Sequence, residues 1–455
     1  MKPPTYAIAL LALLFISSAT RAADPVEADA PPRWWKGNLH THTLWSDGND
    51  FPEMVAEWYR EGGYNFLALS DHNILAQGQK WEKLVGSKRP DMKVAYEKYL
   101  KRFGPNWVET RGQGESGPLE VRLKPLGEFR ALVEERNTFI MIPSEEISAR
   151  FELAADDETG KPKNLPIHIN ATNILEIITP QTGATVGETI ENNFRAINDQ
   201  AERTGQAILP HLNHPNFHWA ITAEDIAAVV SDQFFEIFNG HPGVNQAGDA
   251  THVPMEKLWD IANTIRLARL NAPPLYGIGT DDSHHYHTDG AKRSTPGRGW
   301  IMVRSHHLTP ESLIRGMRNA DFYASTGVTL SNVRYSADTK TIEIDIQPED
   351  GVTYSTAFIG TPMKHDLTST PVTDKDGKPL RVTAKYHDEI GKTFATVEGA
   401  KPTYKLSGEE LYVRAIVTSS KPHPRPTLTD QKEQAWTQPV GWSVKSPTKA
   451  ASSAR

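Results

Sequence analysis

The 455-residue chain contains no cysteine. Disulfide frameworks, thiolate metal sites and lipid attachment through cysteine are therefore excluded, and any metal must be held by nitrogen and oxygen. Positive charge is scarce as well: the formal net charge is -7. A surface that coats nucleic acid needs clustered Lys and Arg to release counterions, so no nucleic-acid partner is expected. Long apolar runs are missing after the first residues. In "MKPPTYAIALLALLFISSATRAAD" the run from Ala7 to Ile16 follows an early lysine and precedes small residues. It is too short to span a bilayer and reads as a secretory signal peptide over 1–22, with cleavage after Ala22. The expectation is export to the periplasm or beyond, with no membrane anchor. No glycine-rich phosphate or dinucleotide fingerprint follows the first strand, and no internal repeat is present.

What remains is a regular alternation. Candidate strands lie at 37–42, 65–70, 138–143, 166–170, 206–211, 234–238, 275–279 and 299–304. Between them, helical patterns run over 52–61, 92–102, 126–135, 188–203, 222–230, 255–268 and 310–319, with Thr222 and Thr309 as N-caps. Such repeated βα units predict an α/β barrel, with a doubly wound open sheet as the competing arrangement. Two stretches rich in Gly, Pro and charge, 103–122 and 154–166, read as loops near the mouth of the site. After about Tyr335 the pattern becomes strand-like: 339–347 alternates strictly, 353–360 and 410–419 look like strands, and Asp376-Gly377 is a hairpin signal. A small all-β module over 335–445 is expected, dispensable for chemistry, with a disordered tail at 446–455.

The strand ends carry the chemistry. "NLHTHTLWSDG" places His40 and His42 two residues apart, hence on one side of an extended chain, with Asp47 in the turn beyond. "LALSDHN" ends on Asp71 and His72, "IPSEEIS" on Glu145 and Glu146, and "PIHIN" carries His168. "LPHLNHPN" offers His211 and His214, and "GIGTDDSHH" offers Asp281, Asp282 and His284. A βα barrel assembles its active site at the carboxyl ends of its strands. Histidines and acids gathered there, with no run of positive charge to pair with, need cations to share, and imidazole with carboxylate suits Zn, Fe or Mn.

These motifs in this order, from Gly37 to about Gly327, resemble those of the PHP (polymerase and histidinol phosphatase) family of metal-dependent phosphoesterases. The resemblance implies a distorted (β/α)7 barrel over 33–330 and two or three divalent ions. One ion would take His40, His42, Glu146 and Asp282; a second would share Glu146 and add His168 and His214; a third would use Asp47, His72 and His284. The family pattern favours Glu146 over Glu145, since it directly precedes Ile147-Ser148. Asp282 fits the D-x-H spacing, with Asp281 as the alternative. The implied reaction is hydrolysis of a small-molecule phosphate ester by a metal-activated hydroxide.

Arg298, Lys292 and Arg293 are candidates to grip phosphate, and His241 to protonate the leaving group. Asp71 is either a turn residue or a carboxylate that orients an imidazole. Glu145, His211, His285 and His287 read as solvated or supporting residues, and His423 has no functional reading. Two other readings compete: a metallohydrolase of another ester or amide, and a secreted carbohydrate or cell-surface binding protein on a barrel scaffold.

Overall fold

The structure is a computed structural model that describes residues 30–89, 91–114, 117–155 and 159–444; the candidate signal at 1–22 and the tail at 446–455 lie outside them. No helix among the described residues is long and apolar enough to cross a membrane. From Pro32 onward the described residues form one compact unit.

Its frame is a 13-stranded sheet. In chain order the strands are β1 (Arg33–Asn38), β2 (Phe66–Leu69), β3 (Ile140–Leu153), β4 (Lys163–Thr172), β5 (Leu209–Leu212), β6 (Phe234–Asn239), β7 (Tyr276–Thr280), β8 (Trp300–Ser305), β9 (Phe322–Ser325), β10 (Tyr354–Pro362), β11 (Lys392–Glu398), β12 (Glu410–Pro422) and β13 (Lys432–Thr437). They lie side by side as β7-β6-β5-β4-β3-β2-β1-β8-β9-β13-β12-β10-β11. The helices are α1 (Pro52–Glu61), α2 (Met92–Phe103), α3 (Leu126–Val133), α4 (Val186–Thr204), α5 (Ala223–Ala227), α6 (Met255–Ile265) and α7 (Pro310–Arg318).

Sequence dictates much of this locally. Pro52 starts α1, where its missing N–H costs nothing. Thr222 caps α5 in a reciprocal box with Asp225, and Thr309 accepts from Ser312 N to cap α7. Every residue of β2 is buried, because both faces of the sheet are covered. Phe66 and Ala68 face Leu39, Ile142, Leu209 and Ile278 inside, while Leu67 and Leu69 meet Val55, Tyr59, Phe129 and Met141 beneath α1 and α3.

The α/β class matches the expectation, with three differences. β1–β2–β3 and β5–β6–β7 are parallel, but β4 runs antiparallel to both its neighbours. The link after Leu153 is too short for a crossover helix, so the chain can only turn back as a hairpin. Residues 103–122 are not a loop: Thr110–Gly114 and Gly117–Leu123 pair with each other, and the second pairs with Lys80–Lys83 in a separate three-stranded sheet. No ladder joins β7 to β1. Instead, their continuations meet at the rim through Asp282 N to His40 O and His42 N to Ser283 O, both 2.9 Å. β1 therefore ends at Asn38 rather than at 42, since its last residues are given to this junction.

The later strands extend the same sheet without a break, Tyr323 of β9 pairing with Thr437 of β13. A buried ion pair locks them to the earlier part: Arg414 Nη2 donates to Asp260 Oδ2 of α6 at 2.7 Å and its Nε to Oδ1 at 2.9 Å.

Candidate metal centre

All nine residues named for metals lie in one connected cluster at the junction of the β1 and β7 continuations. His40 and His42 project the same way, and Thr41 between them points back, donating to Ala68 O at 2.9 Å. His40 Nε2 lies 3.3 Å from both Glu146 Oε1 and Asp282 Oδ1. His42 Nε2 lies 3.4 Å from Glu146 Oε2 and 3.1 Å from Asp282 Oδ1. Glu146 Oε1 is also 3.0 Å from His168 Nδ1 and 3.5 Å from His214 Nε2. On the outer side, Asp47 is 3.3 Å from His284 Nε2 and 3.5 Å from His72 Nε2.

These separations discriminate. A hydrogen bond between imidazole and carboxylate is short, about 2.7–2.9 Å. Ligand atoms at about 2.0–2.2 Å around a tetrahedral ion lie roughly 3.4 Å apart. The contacts of His40, His42, His214 and Asp47 have the second spacing, whereas His72 Nδ1 at 2.8 Å from Glu146 Oε2 and His168 Nδ1 at 3.0 Å from Oε1 have the first. Moreover, His40 Nε2 and His42 Nε2 are buried with no hydrogen-bond partner, and groups of this kind need one or a cation. The donors are nitrogen and oxygen only, and they suit divalent Zn, Mn or Fe.

The electrostatics agree. Burial opposes charge on the Glu146 and Asp282 carboxyls, yet the surrounding histidines hold both well below the usual range. Burial likewise opposes the His40 imidazolium, and Asp282, Glu146 and Glu236 outweigh it. For His72 burial is overcome by Glu146 and Asp47, which lift it to about 11. The response is uneven: burial outweighs the carboxylates at His42 and His168, which are held below the usual imidazole value. Two of its members hold a left-handed backbone, His214 at φ 27° and Asp282 at φ 48°, strain of the kind that sites store.

The paired acids divide as well, Glu145 and Glu146 by strand alternation in β3, Asp281 and Asp282 by the turn that follows β7. Glu146 faces the cluster; Glu145 faces away, accepts from Ile178 N at 2.6 Å, and is raised by burial to about 7. Asp282 faces the cluster, whereas Asp281 accepts from the backbone N–H groups of Gly297, Arg298 and Gly299 and from the Tyr59 hydroxyl.

Two of the three residues named for catalysis take other roles. Arg298 is buried, and its guanidinium donates to Gly240 O, Gly290 O and Arg425 O. Its charge is spent bracing three segments. Asp71 touches no imidazole either. Its Oδ1 accepts from Thr43 N at 2.8 Å and Ser46 Oγ at 2.6 Å, and its Oδ2 from Thr43 Oγ1 at 2.8 Å. It shapes the turn before Asp47, with Ser46 Oγ 3.3 Å from His42 Nδ1. His241 does stand beside the cluster, edge-on to His284 at 5.5 Å between ring centres. Gly243 N donates to its Nδ1, leaving the proton on Nε2, and burial lowers its pKa to about 4. At neutral pH it is a neutral hydrogen-bond donor rather than a charged acid. Lys292 and Arg293 are exposed.

His211 is fully buried, not solvated, and its Nε2 is 3.7 Å from Glu236 Oε1. His285 accepts from Ser294 N, His287 Nε2 lies 3.0 Å from Asn49 O, and His423 Nε2 lies 3.0 Å from Arg298 O.

Sequence reasoning missed Glu236. Fully buried in β6, it contacts His40 Nδ1 at 2.7 Å. Asn239 and Asn213 were missed too: Asn239 Nδ2 donates to Glu236 and Asp282, and Asn213 Nδ2 to Glu146 Oε1. The signal available was the lone acid in "FFEIF", since a charge in a strand with both faces covered must have a partner.

No family description and no curated protein matches the chain. Among solved structures it is similar to a two-domain protein from Bacteroides vulgatus described as containing a predicted PHP-like metal-dependent phosphoesterase, at TM-score 0.35 and 13% identity, covering 91% of this chain and 98% of that one. A second, from Bifidobacterium adolescentis, is named for a proposed metal-dependent phosphoesterase activity; it shows TM-score 0.25 and 13% identity, covering 56% of this chain and 89% of that one. Likeness at this level is too distant to carry the chemistry, which rests on the cluster itself.

Proposed function

We propose that the chain is an exported, metal-dependent phosphoesterase of the PHP type, acting on a small-molecule phosphate ester. In this reading residues 33–330 are a distorted (β/α)7 barrel, closed at its rim by the bonds between 40–42 and 282–283, and 335–445 is a β module packed against it. His40, His42, Glu146 and Asp282 hold one divalent ion, Glu146, His168 and His214 a second, and Asp47, His72 and His284 a third. Ions held there supply Lewis acidity toward a phosphoryl oxygen and acidify water.

The chain's own residues do the rest. Glu146 offers both carboxylate oxygens, one toward His40 and His214 and the other toward His42 and, at 2.8 Å, His72 Nδ1, so it joins the inner positions and touches the third. His241, with its proton on Nε2, is placed to hydrogen-bond an oxygen of the substrate or leaving group. Asp71 fixes the turn from which Asp47 projects. The side chain of Asp47 is 55% exposed, against at most 8% for Glu146 and Asp282, so substrate approaches from the side of the third position.

The observation that carries this reading is the set of buried donors around His40 and His42, whose Nε2 atoms have no hydrogen-bond partner and face Glu146 and Asp282 at 3.1–3.4 Å. The experiment is turnover of p-nitrophenyl phosphate, bis-p-nitrophenyl phosphate and a p-nitrophenyl acetate control before and after exhaustive chelation. Phosphate-ester hydrolysis that vanishes with EDTA and returns with Mn or Zn is expected. Turnover that survives with metal demonstrably absent, or turnover of the acetate alone, contradicts it.

A further inference from the structure

Behind the ligands lies a side chain that binds no ion in the reading above and yet touches several of them. Glu236 is fully buried in β6. Four donors converge on its carboxylate. Its Oε1 is 2.7 Å from His40 Nδ1 and accepts from Thr280 Oγ1 at 2.7 Å. Its Oε2 accepts from His214 N and Asn239 Nδ2, both at 2.8 Å. Asn239 Nδ2 in turn reaches Asp282 Oδ2 at 3.1 Å.

We infer that Glu236 is the positioning residue of the inner metal pair: one carboxylate that sets the tautomer of His40, the backbone of His214 and, through Asn239, the carboxylate of Asp282. The inference rests on the metal-centre reading and deepens it.

The chemistry is specific about the side chain required. A carboxylate accepts at both oxygens; a glutamine amide donates at one end. A glutamine NH2 turned to the Oε2 side would face the His214 N–H and the Asn239 NH2; turned to the Oε1 side, the Thr280 hydroxyl can rotate to accept, but His40 Nδ1 can accept only by moving its proton to Nε2, the atom that faces the ion. Glutamate is therefore the acidic partner that lets His40 keep its proton on Nδ1 and present the Nε2 lone pair to the ion. A carboxylate behind a ligating histidine also raises its basicity, and losing such a partner typically weakens metal binding about 10- to 100-fold. The bond to His214 N does a second job. It holds a residue at φ 27°, a conformation that a non-glycine residue keeps only when its surroundings insist on it.

No contact of Glu236 reaches Asp47, His72 or His284, so the effect should divide the centre. The inner ions loosen when Glu236 is changed, and the outer one does not.

The test is the affinity of the full chain for Zn or Mn, measured by competition with a chromogenic chelator on wild type, Glu236→Gln and Thr280→Val, alongside thermal unfolding of each metal-free protein. Glu236→Gln is expected to lose affinity about 10- to 100-fold for the inner ions, to keep the outer one, and to lower kcat more than it raises KM. Thr280→Val keeps the carboxylate on His40 and should stay within a few-fold of wild type. Wild-type affinity in a folded Glu236→Gln, or equal losses in both variants, overturns the inference.

Should Glu236→Gln fail to fold, Zn-loaded wild type labelled with 15N-histidine decides. His40, assigned by the signal lost in His40→Asn, is expected to carry its proton on Nδ1; a proton on Nε2 overturns the inference. A wild-type protein that binds no metal at all removes the reading beneath it, an outcome distinct from either.

Discussion

At the scale of single residues, the difference between neighbours decides the chemistry. Glu145 and Glu146, or Asp281 and Asp282, are chemically identical pairs whose members face opposite ways, one toward a buried backbone and one toward the cluster. Changing His42→Ala or Asp282→Asn should abolish measurable turnover and cost at least the 10- to 100-fold in metal affinity that loss of a supporting partner costs, with the circular dichroism spectrum unchanged. Full activity with full metal content in either variant refutes the assignment. A second prediction concerns a buried acid away from the cluster. Burial raises Glu53 from 4.5 to about 7, against the opposing hydrogen bonds from Tyr99 and Trp107. Between those values the folded state keeps a proton that the unfolded state has released, so this contribution is complete below pH about 4.5 and is lost as pH rises through about 7, at most roughly 3 kcal/mol. In urea unfolding, the stability of Glu53→Gln relative to wild type should therefore grow between pH 5 and pH 8. A difference independent of pH would show that Glu53 ionises freely.

At the scale of elements, two attachments bear on the site. The small sheet containing Lys80–Lys83 sends Lys80 to Trp45 O, and the following segment sends Arg89 to Ser46 O and, at 2.6 Å, to Gly48 O. These carbonyls flank Asp47. The turn is tight enough that a Cβ on Gly48 would stand 2.5 Å from the His42 carbonyl. Arg89→Ala should loosen the turn and lower metal content by the outer ion alone, as read by emission spectroscopy; unchanged stoichiometry contradicts the role. The other attachment is Arg414 to Asp260, buried between β12 and α6. Removing one partner of such a pair strands a charge and costs about 3–5 kcal/mol, so Arg414→Ala should lower the urea midpoint accordingly. A midpoint within error of wild type would mean that the later strands are only loosely held. This bond, and the hold of Arg425 O on Arg298, also bear on whether 335–445 is dispensable: its removal exposes a buried acid of α6 and frees a brace of the site.

Over the whole molecule, the elements that were legible in the sequence are those fixed by local chemistry. Pro52, Thr222 and Thr309 mark helix starts that the structure reproduces, and apolar runs such as Phe66–Leu69 mark buried strands. The metal-site motifs were legible because each is short and stands beside an apolar run, although Glu146 and His168 lie inside long strands rather than at the strand ends expected. Strand direction was not: whether β4 returns as a hairpin depends on how the chain closes after Leu153, and periodicity carries no direction. Arg298 misled because an arginine beside a site looks the same in sequence whether it meets a phosphate or three carbonyls. Glu236 escaped because its partners come from four separate segments.

The most direct test is anomalous diffraction at the Zn or Mn edge from crystals of the metal-loaded protein. The account predicts peaks about 2.0–2.2 Å from His40, His42, Glu146 and Asp282, with a neighbour reached by His168 and His214. A map with no anomalous peak at this cluster, from protein shown to carry metal in solution, would contradict it.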